Sequence, residues 1–150
     1  MRKRLFYTLV SAMLLMCMSS CSKNNGDIGP WFGLWHLDSI EVDGVPDDAY
    51  DGRYYFMFQS QVFCIRWIDD EHHDYYDSYA QWQRGDGDAS MTLSFADSRF
   101  SPEFGDKFPP THLSAVTHFK VVTLNATTMV LTTTSPGGES VVTYHLTAVN

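Results

Sequence analysis

Residues 33–44, Gly-Leu-Trp-His-Leu-Asp-Ser-Ile-Glu-Val-Asp-Gly, carry the pattern that decides the fold prediction. The apolar residues Trp35 and Leu37 alternate with the polar residues His36 and Asp38. The alternation stops at a turn signal in residues 42–44. Successive side chains of a β-strand point to opposite faces of the sheet. The alternation therefore predicts a strand with one buried face.

Seven more segments have the composition or the period of β-strands. Val, Ile, Thr and aromatic residues, which favour pleated strands, dominate these segments, and turn signals separate them at residues 85–87, 125–127 and 135–138. Residues 97–111 are predicted to be irregular because their prolines cannot donate hydrogen bonds to a sheet. The strand candidates after the first are residues 54–60, 62–68, 75–83, 90–96, 116–124, 128–134 and 141–149.

Eight strand candidates and no helical pattern predict an all-β fold. Consecutive strands joined by short turns favour an antiparallel up-and-down order, and closing the sheet into a barrel removes its exposed edges. An eight-stranded barrel is just wide enough for its own side chains or for one small ligand. We therefore expect an eight-stranded antiparallel up-and-down β-barrel without a C-terminal helix.

The charge and composition exclude two classes of protein. The chain has a formal net charge of -8 and contains 44% hydrophobic and 15% aromatic residues. That aromatic content argues against disorder. Removing residues 1–20, which hold three basic and no acidic side chains, makes the net charge -11. Because nucleic-acid binding requires clustered Lys and Arg, we expect no nucleic-acid partner.

The first twenty residues resemble the signal peptide of a bacterial lipoprotein. A basic start precedes an apolar stretch, residues 5–18, that is too short to span a bilayer, which requires about 20 residues. The following Met18-Ser19-Ser20-Cys21 is similar to a lipobox, whose cysteine is the acylation site. Ordinary secretion with cleavage near Ser20 is the alternative. The predicted division is a signal peptide at 1–20, a lipidated tether at 21–30 and one domain at 31–150.

Lipidation at Cys21 would anchor the protein in the cell envelope. The resemblance to lipoproteins implies several fatty-acyl chains, such as palmitate, and Ser22 after the cysteine is typical of sorting to the outer membrane. The domain would face either the periplasm or the outside of the cell. With Cys17 removed and Cys21 alkylated, Cys64 is the one remaining thiol, so no intramolecular disulfide is expected. Cys64 is interpreted as a small buried residue.

Gly33-Leu34-Trp35 at the start of the first strand resembles the G-x-W signature of lipocalins. The whole mature chain is similar to the lipocalin-like domain of small lipoproteins from gut-type Gram-negative bacteria. That resemblance implies that Trp35 closes one barrel end, that Gly33 permits the tight entry into the strand, and that a small apolar molecule binds in the cup. The sequence departs from the family in two ways, since His145 stands where lipocalins usually have an arginine and no C-terminal helix follows.

The acidic segment 69–74, Asp-Asp-Glu-His-His-Asp, is the densest group of potential metal ligands. His72 and His73 are adjacent, so on an extended chain they point in opposite directions. A solvated hairpin loop is the favoured interpretation, with weak metal binding as the alternative. We expect no metal centre and no cofactor. Because the common nucleophile, metalloprotease and phosphate-loop motifs are missing from the sequence, we also expect no enzymatic activity.

Aromatic residues are concentrated on three consecutive predicted strands. They either fill a small barrel or line a cup for an apolar ligand. Phe63, Trp67 and Phe95 are the residues expected to contact such a ligand, because they are large, apolar and central in their strands. Binding of a small hydrophobic molecule or lipid is the first functional hypothesis. The alternative is an accessory or structural subunit of an envelope complex, which would contact its protein partner through the loops 69–74 and 97–111.

Cys21→Ala should release the protein from membranes into the soluble fraction, because the thiol that carries the acyl chains is missing. Fractionation followed by mass spectrometry of the N-terminus measures both effects. An unmodified, soluble wild-type protein would contradict the lipoprotein assignment.

Overall fold

The structure, a computed structural model, describes residues 28–95 and 110–149 of the chain. Within these ranges the chain forms nine antiparallel strands and two short 3₁₀ turns, Gly29–Trp31 and Asp86–Asp88. Eight of the strands are long, and the ninth consists of two residues. The strands are β1 (Gly33–Val42), β2 (Val45–Pro46), β3 (Tyr54–Gln59), β4 (Val62–Asp69), β5 (Asp74–Gly85), β6 (Ser90–Ser94), β7 (Val116–Leu124), β8 (Thr128–Thr134) and β9 (Val141–Ala148).

The eight long strands form a closed barrel in up-and-down order. Each strand pairs with the next along the chain, and β1 also pairs with β9, from Trp35 opposite Ala148 to Val42 opposite Val142. β2 only extends the end of β1 as a hairpin. The predicted eight-stranded antiparallel barrel is confirmed.

No further helix accompanies the barrel in the part of the chain that the structure describes. The final strand, β9, ends at Ala148, and the chain then continues as Val149. The two 3₁₀ turns are three residues each, so no described helix has the length and apolarity needed to cross a membrane. The predicted irregular segment 97–111 falls largely outside the described ranges.

Inward-facing side chains from all eight long strands fill the barrel. The period of two seen in the sequence places every second residue inside, and large aromatic and aliphatic groups predominate there. On β3, for example, Tyr54, Phe56 and Phe58 are buried, while the alternate Tyr55 and Met57 are partly exposed. The centre of this core is formed by Leu37, Ile40, Phe56, Phe63, Ile65, Leu93, Phe119, Leu131 and Tyr144.

The 3₁₀ turn before β1 closes one end of the barrel, which we term the plugged end. Trp31 is fully buried there, with its ring 5.3 Å from both Phe58 and Trp82. The Trp35 indole donates a hydrogen bond of 3.1 Å to the Trp31 carbonyl, and the Trp31 indole donates one of 2.9 Å to Asp88. The two indole donors are therefore satisfied in a dry environment, where an unpaired donor would be costly.

Gly33 and Trp35, the two defining residues of the G-x-W sequence, lie at the start of β1. Gly33 has a φ of 136°, a conformation that side-chain-bearing residues rarely adopt, and it connects the 3₁₀ turn to β1. Trp35 is 1% exposed and faces the interior at the plugged end. His145, at the position compared with the family's arginine, is on the outer face of β9, 3.4 Å from Glu41 and directed away from Trp35.

Trp35→Ala should lower the free energy of unfolding by about 3–5 kcal/mol, as truncation of a large core side chain does. Chemical denaturation followed by circular dichroism measures the change. Phe32→Ala is the matched control, because Phe32 is adjacent to the plug but 43% exposed. A similar small loss in both variants would contradict the assignment of Trp35 to the plug.

Candidate functional site at the loop end of the barrel

The middle of the barrel is filled with side chains. Phe56, Phe63, Ile65, Leu93 and Leu131 each have a relative exposure of 0%. Such a value means that no water-sized space touches the side chain, either from outside or from an internal hollow. The rings of Phe56 and Phe58 each lie 5.1 Å from that of Phe63, at the edge-on and tilted angles that aromatic pairs favour. The described core is therefore packed at this level.

The end opposite the plug, termed the loop end, has a different composition. Threonine hydroxyls are found there beside apolar side chains, and several residues keep a small exposed area. Thr133 donates to the His118 carbonyl at 2.7 Å, and the Tyr144 hydroxyl donates to the Thr111 carbonyl at 2.8 Å. Burial raises the pKa of Tyr144, so its hydroxyl is a neutral donor. The residues that keep 4–9% exposure around this end are Trp67, Ala80, Phe95, Thr111, Leu113, Thr117 and Thr133.

Trp67 is held at the loop end by polar contacts. Its indole donates a 3.0 Å hydrogen bond to the Asp51 carboxylate, and the Arg53 guanidinium stands 4.3 Å above its ring centre. Arg53 is itself paired with Asp51 at 2.6 Å. The ring of Tyr76 is 5.8 Å from that of Trp67. These contacts fix the position of a large aromatic surface at the rim.

Residues 47–53, which connect β2 to β3 and are termed the 47–53 loop, supply the polar partners of Trp67. Within the loop, Tyr50 packs against the core, stacks on Tyr54 at 6.1 Å and donates a hydrogen bond to the Leu37 carbonyl. Burial raises the pKa of both tyrosines, so their hydroxyls remain protonated. The 47–53 loop is consequently attached to the barrel wall by a buried side chain.

Two histidines also attach this loop. His36 on β1 contacts the Gly52 carbonyl through Nε2 at 2.8 Å, and His112 contacts the Asp47 carboxylate through Nε2 at 2.6 Å. Burial alone raises the pKa of Asp47, but the hydrogen bond with His112 and a backbone bond from Ala49 hold that pKa below its usual range. Asp47 is therefore ionised at neutral pH.

The structure places the three predicted ligand-contacting residues on the inner face but at different depths. Phe63 is in the packed middle, and its ring lies 6.2 Å from that of Phe95 above it. Trp67 and Phe95 lie at the loop end, with exposures of 6% and 5%. Their contact with a ligand stays a prediction, as does lipidation of Cys21, which lies outside the described residues.

The 69–74 segment is the hairpin between β4 and β5. Its residues are exposed except Asp69, which is partly buried and accepts a 2.8 Å contact from His72. That hydrogen bond lowers the pKa of Asp69. His73 turns the chain with a φ of 57°. Among residues 28–95 and 110–149, no three His, Cys, Asp or Glu side chains are grouped closely enough to hold a metal ion.

Two other features outside the loop end are chemically limited. Cys64 is buried, and this burial raises the pKa of its thiol to about 12, so a reactive thiolate is absent at neutral pH. A groove of about 530 Å³ crosses the plugged end, and its wall is mainly polar. It is lined by Ile28, Ser60, Gln61, Gln81, Trp82, Gln83 and Arg84.

Neither the 47–53 loop nor His112 is predicted from the sequence to be part of the rim. The loop has the turn composition Asp-Asp-Ala-Tyr-Asp-Gly, which predicts only a connection. Tyr50 within it was a signal that could have been used, because a large aromatic side chain in a short polar loop commonly packs back onto the core. The pairing of Asp47 with His112 spans 65 residues, and no local pattern reports it.

Comparison with known proteins agrees with this geometry. A family profile described as a lipocalin-like domain matches residues 16–136. The crystal structure of a lipocalin-like protein from Bacteroides uniformis superposes with a TM-score of 0.61 at 13% identity, covering 81% of this chain and 100% of that chain.

Two bovine structures give weaker matches. The lipocalin allergen Bos d 2 has a TM-score of 0.43 at 14% identity, covering 81% of this chain and 74% of that one. Bovine odorant binding protein in complex with its natural ligand has a TM-score of 0.44 at 14% identity, with coverages of 86% and 77%. The search of curated proteins finds no significant match. The closed eight-stranded barrel and the family profile together establish that this chain belongs to the lipocalin-like domain family.

Proposed function

We propose that this protein is a lipid-anchored, non-enzymatic lipocalin-like protein of the outer membrane, which binds a small hydrophobic molecule or lipid at the loop end of its barrel. Membership of the lipocalin-like family supports a binding role, since its members are generally binding proteins. The N-terminal signal and lipobox support the anchor.

The difference between the two ends of the barrel carries the proposal. Trp31 blocks the plugged end, and the packed aromatic middle leaves no water-sized space around Phe63. At the loop end, apolar side chains that keep some exposure lie beside the hydroxyls of Thr111, Thr117 and Thr133. A site of this kind suits a small ligand with an apolar body, whose burial supplies about 25 cal/mol per Å² before association costs are subtracted.

The aromatic residues have distinct roles in this proposal. Trp67 and Phe95 contact the ligand, and Phe63 supports Phe95 from below as the floor of the site. Removal of a contacting residue weakens binding more than folding. Removal of the floor residue weakens folding first, because it leaves a cavity in the packed middle.

The proposed anchor is joined to the barrel at the end opposite the proposed site. The described chain begins at the plugged end with Ile28, a residue of the predicted tether 21–30, while the 47–53 loop and the 69–74 hairpin are at the other end. An acylated Cys21 would therefore attach the plugged end, and not the loop end, to the membrane. A ligand can then be exchanged with the surrounding medium or with another protein.

A non-enzymatic role agrees with the chemistry of the described residues. Their single thiol, Cys64, is buried and protonated. His72 contacts Asp69 in an exposed hairpin, and His112 contacts Asp47 at the rim. In the described parts of the chain neither histidine is hydrogen-bonded to a serine or cysteine that could act as a nucleophile.

One observation favours the alternative of an accessory subunit in an envelope complex. The outer face of β4 and β5 carries the exposed apolar side chains Val62, Tyr75 and Tyr79, at 50%, 61% and 63% exposure. Tyr75 and Tyr79 contact the ion pair between Arg66 and Asp77. The hydrogen bond from Arg66 lowers the pKa of Asp77. A protein partner would cover such a face, which lies beside the 69–74 hairpin.

Titration of the mature domain with a fluorescent fatty acid, followed by competition with palmitate, tests the binding proposal. Saturable binding with quenching of tryptophan fluorescence is expected. Phe95→Ala should weaken the affinity about tenfold, which corresponds to the loss of one aromatic contact of about 1.4 kcal/mol. Phe63→Ala should lower the free energy of unfolding by about 3–5 kcal/mol.

Tyr79→Ala is the matched control, because Tyr79 is on the outer face and should leave the affinity unchanged. A panel of fatty acids, sterols and aromatic metabolites without saturable binding would contradict the proposal. Co-purification of a defined envelope protein that Tyr79→Ala abolishes would support the alternative.

A further inference from the structure

His36 occupies the point where β1 and β3 separate. The two strands pair from Gly33 opposite Phe58 to His36 opposite Tyr55. Beyond this last pair β1 continues along β9, and the 47–53 loop fills the space between β1 and β3. Tyr50 of that loop reaches the Leu37 carbonyl at the irregularity in β1. His36 therefore adjoins the base of the 47–53 loop.

Both ring nitrogens of His36 face groups that can only accept hydrogen bonds. Nε2 is 2.8 Å from the Gly52 carbonyl, and Nδ1 is 2.7 Å from a carboxylate oxygen of Asp38. The other oxygen of Asp38 accepts a 2.5 Å hydrogen bond from the Thr147 hydroxyl, which keeps the carboxylate in place. Only the imidazolium form carries two N–H donors, whereas the neutral ring carries one.

We infer that His36 is a proton-dependent latch of the 47–53 loop and thereby regulates the ligand site at the loop end. Loss of one proton leaves a nitrogen lone pair facing either the Gly52 carbonyl or the Asp38 carboxylate. One of the two contacts must then be lost. The bond to Gly52 is a single contact to a carbonyl, whereas Asp38 is a charged partner, so the loop is released and His36 keeps Asp38.

The latch acts on the ligand site through Asp51, the residue before Gly52. Asp51 binds the Trp67 indole at 3.0 Å and the Arg53 guanidinium at 2.6 Å. A loop held by His36 consequently fixes Trp67, the aromatic surface assigned to the ligand. This regulatory step rests on the proposed function, but the release of the loop can be measured without any ligand.

The groups that face His36 are few. Asp38 comes from the same strand, Tyr55 from β3 with its ring 5.0 Å away, and Thr147 from β9, paired opposite His36. The loop contributes the Gly52 carbonyl. His112 also attaches the loop, but it contacts Asp47 through one nitrogen, so its neutral form can still donate that bond. Among these described contacts of the two histidines, those of His36 can both be made only when both of its ring nitrogens carry a proton.

Hydrogen exchange of the loop, measured at about pH 5.5 and at about pH 8, tests the latch. Suitable reporters are the amides of Asp47, Tyr50 and Ile68, which donate to Ile40, Asp47 and Arg53. After correction for intrinsic rates, their protection in the wild type should fall about fivefold at the higher pH, as loss of one hydrogen bond near 1 kcal/mol gives. Amides of β8 should not change.

His36→Gln should give the low protection at both pH values, and His36→Arg, with a permanent charge and several donors, should give the high protection at both. The control is His118→Gln, because His118 is exposed on β7 and contacts Thr92. A wild-type loop with equal protection at both pH values would overturn the latch, as would a full pH effect in folded His36→Gln. A fatty-acid affinity that falls together with the protection of the loop would support the latch. Release of the loop at the higher pH in a protein that binds no fatty acid would also support the latch, but it would contradict the proposed function.

Discussion

Pairing of β1 with β9 is the constraint on which the rest of the structure depends. It closes the sheet, so that each of the eight long strands has two neighbours and each inner-face side chain must fit a space of fixed width. Aromatic groups from β3 and β4 fill that space, as the contacts of Phe63 with Phe56 and Phe58 illustrate. An eight-stranded barrel filled in this way is a packed core for most of its height.

Closure also explains why the two ends of the barrel differ. At the plugged end, the 3₁₀ turn inserts Trp31, and the hydrogen bonds from Trp35 to Trp31 and from Trp31 to Asp88 satisfy the indole donors of Trp35 and Trp31. At the loop end, β1 pairs with β3 only as far as His36, while along its other edge it continues beside β9 to Val42. The 47–53 loop occupies the space between β1 and β3, so the point at which these two strands separate determines where the loop lies.

The same geometry couples the outer face of the barrel to its interior. His36 faces outward on β1, yet it contacts the loop whose Asp51 holds the inward-facing Trp67. The connection is short and runs through hydrogen bonds, so a change of protonation outside the barrel is transmitted to an aromatic side chain inside. A packed barrel restricts large rearrangements, and regulation through a rim loop leaves the core undisturbed.

The sequence by itself determined the strand pattern, the antiparallel order and the burial of Trp35, because the period of two and the turn residues are local properties of the chain. It also singled out Phe63, Trp67 and Phe95, which lie on the inner face, but it did not identify Trp31, whose ring fills the plugged end. The depth of Phe63, Trp67 and Phe95 was decided only by the tertiary structure, since depth depends on the register between strands, which no single segment encodes. The pairs Asp47–His112 and Trp31–Asp88 and the contact of His36 with Gly52 were likewise invisible in the sequence. They join residues that become neighbours only when the barrel closes and brings its loops together at each end.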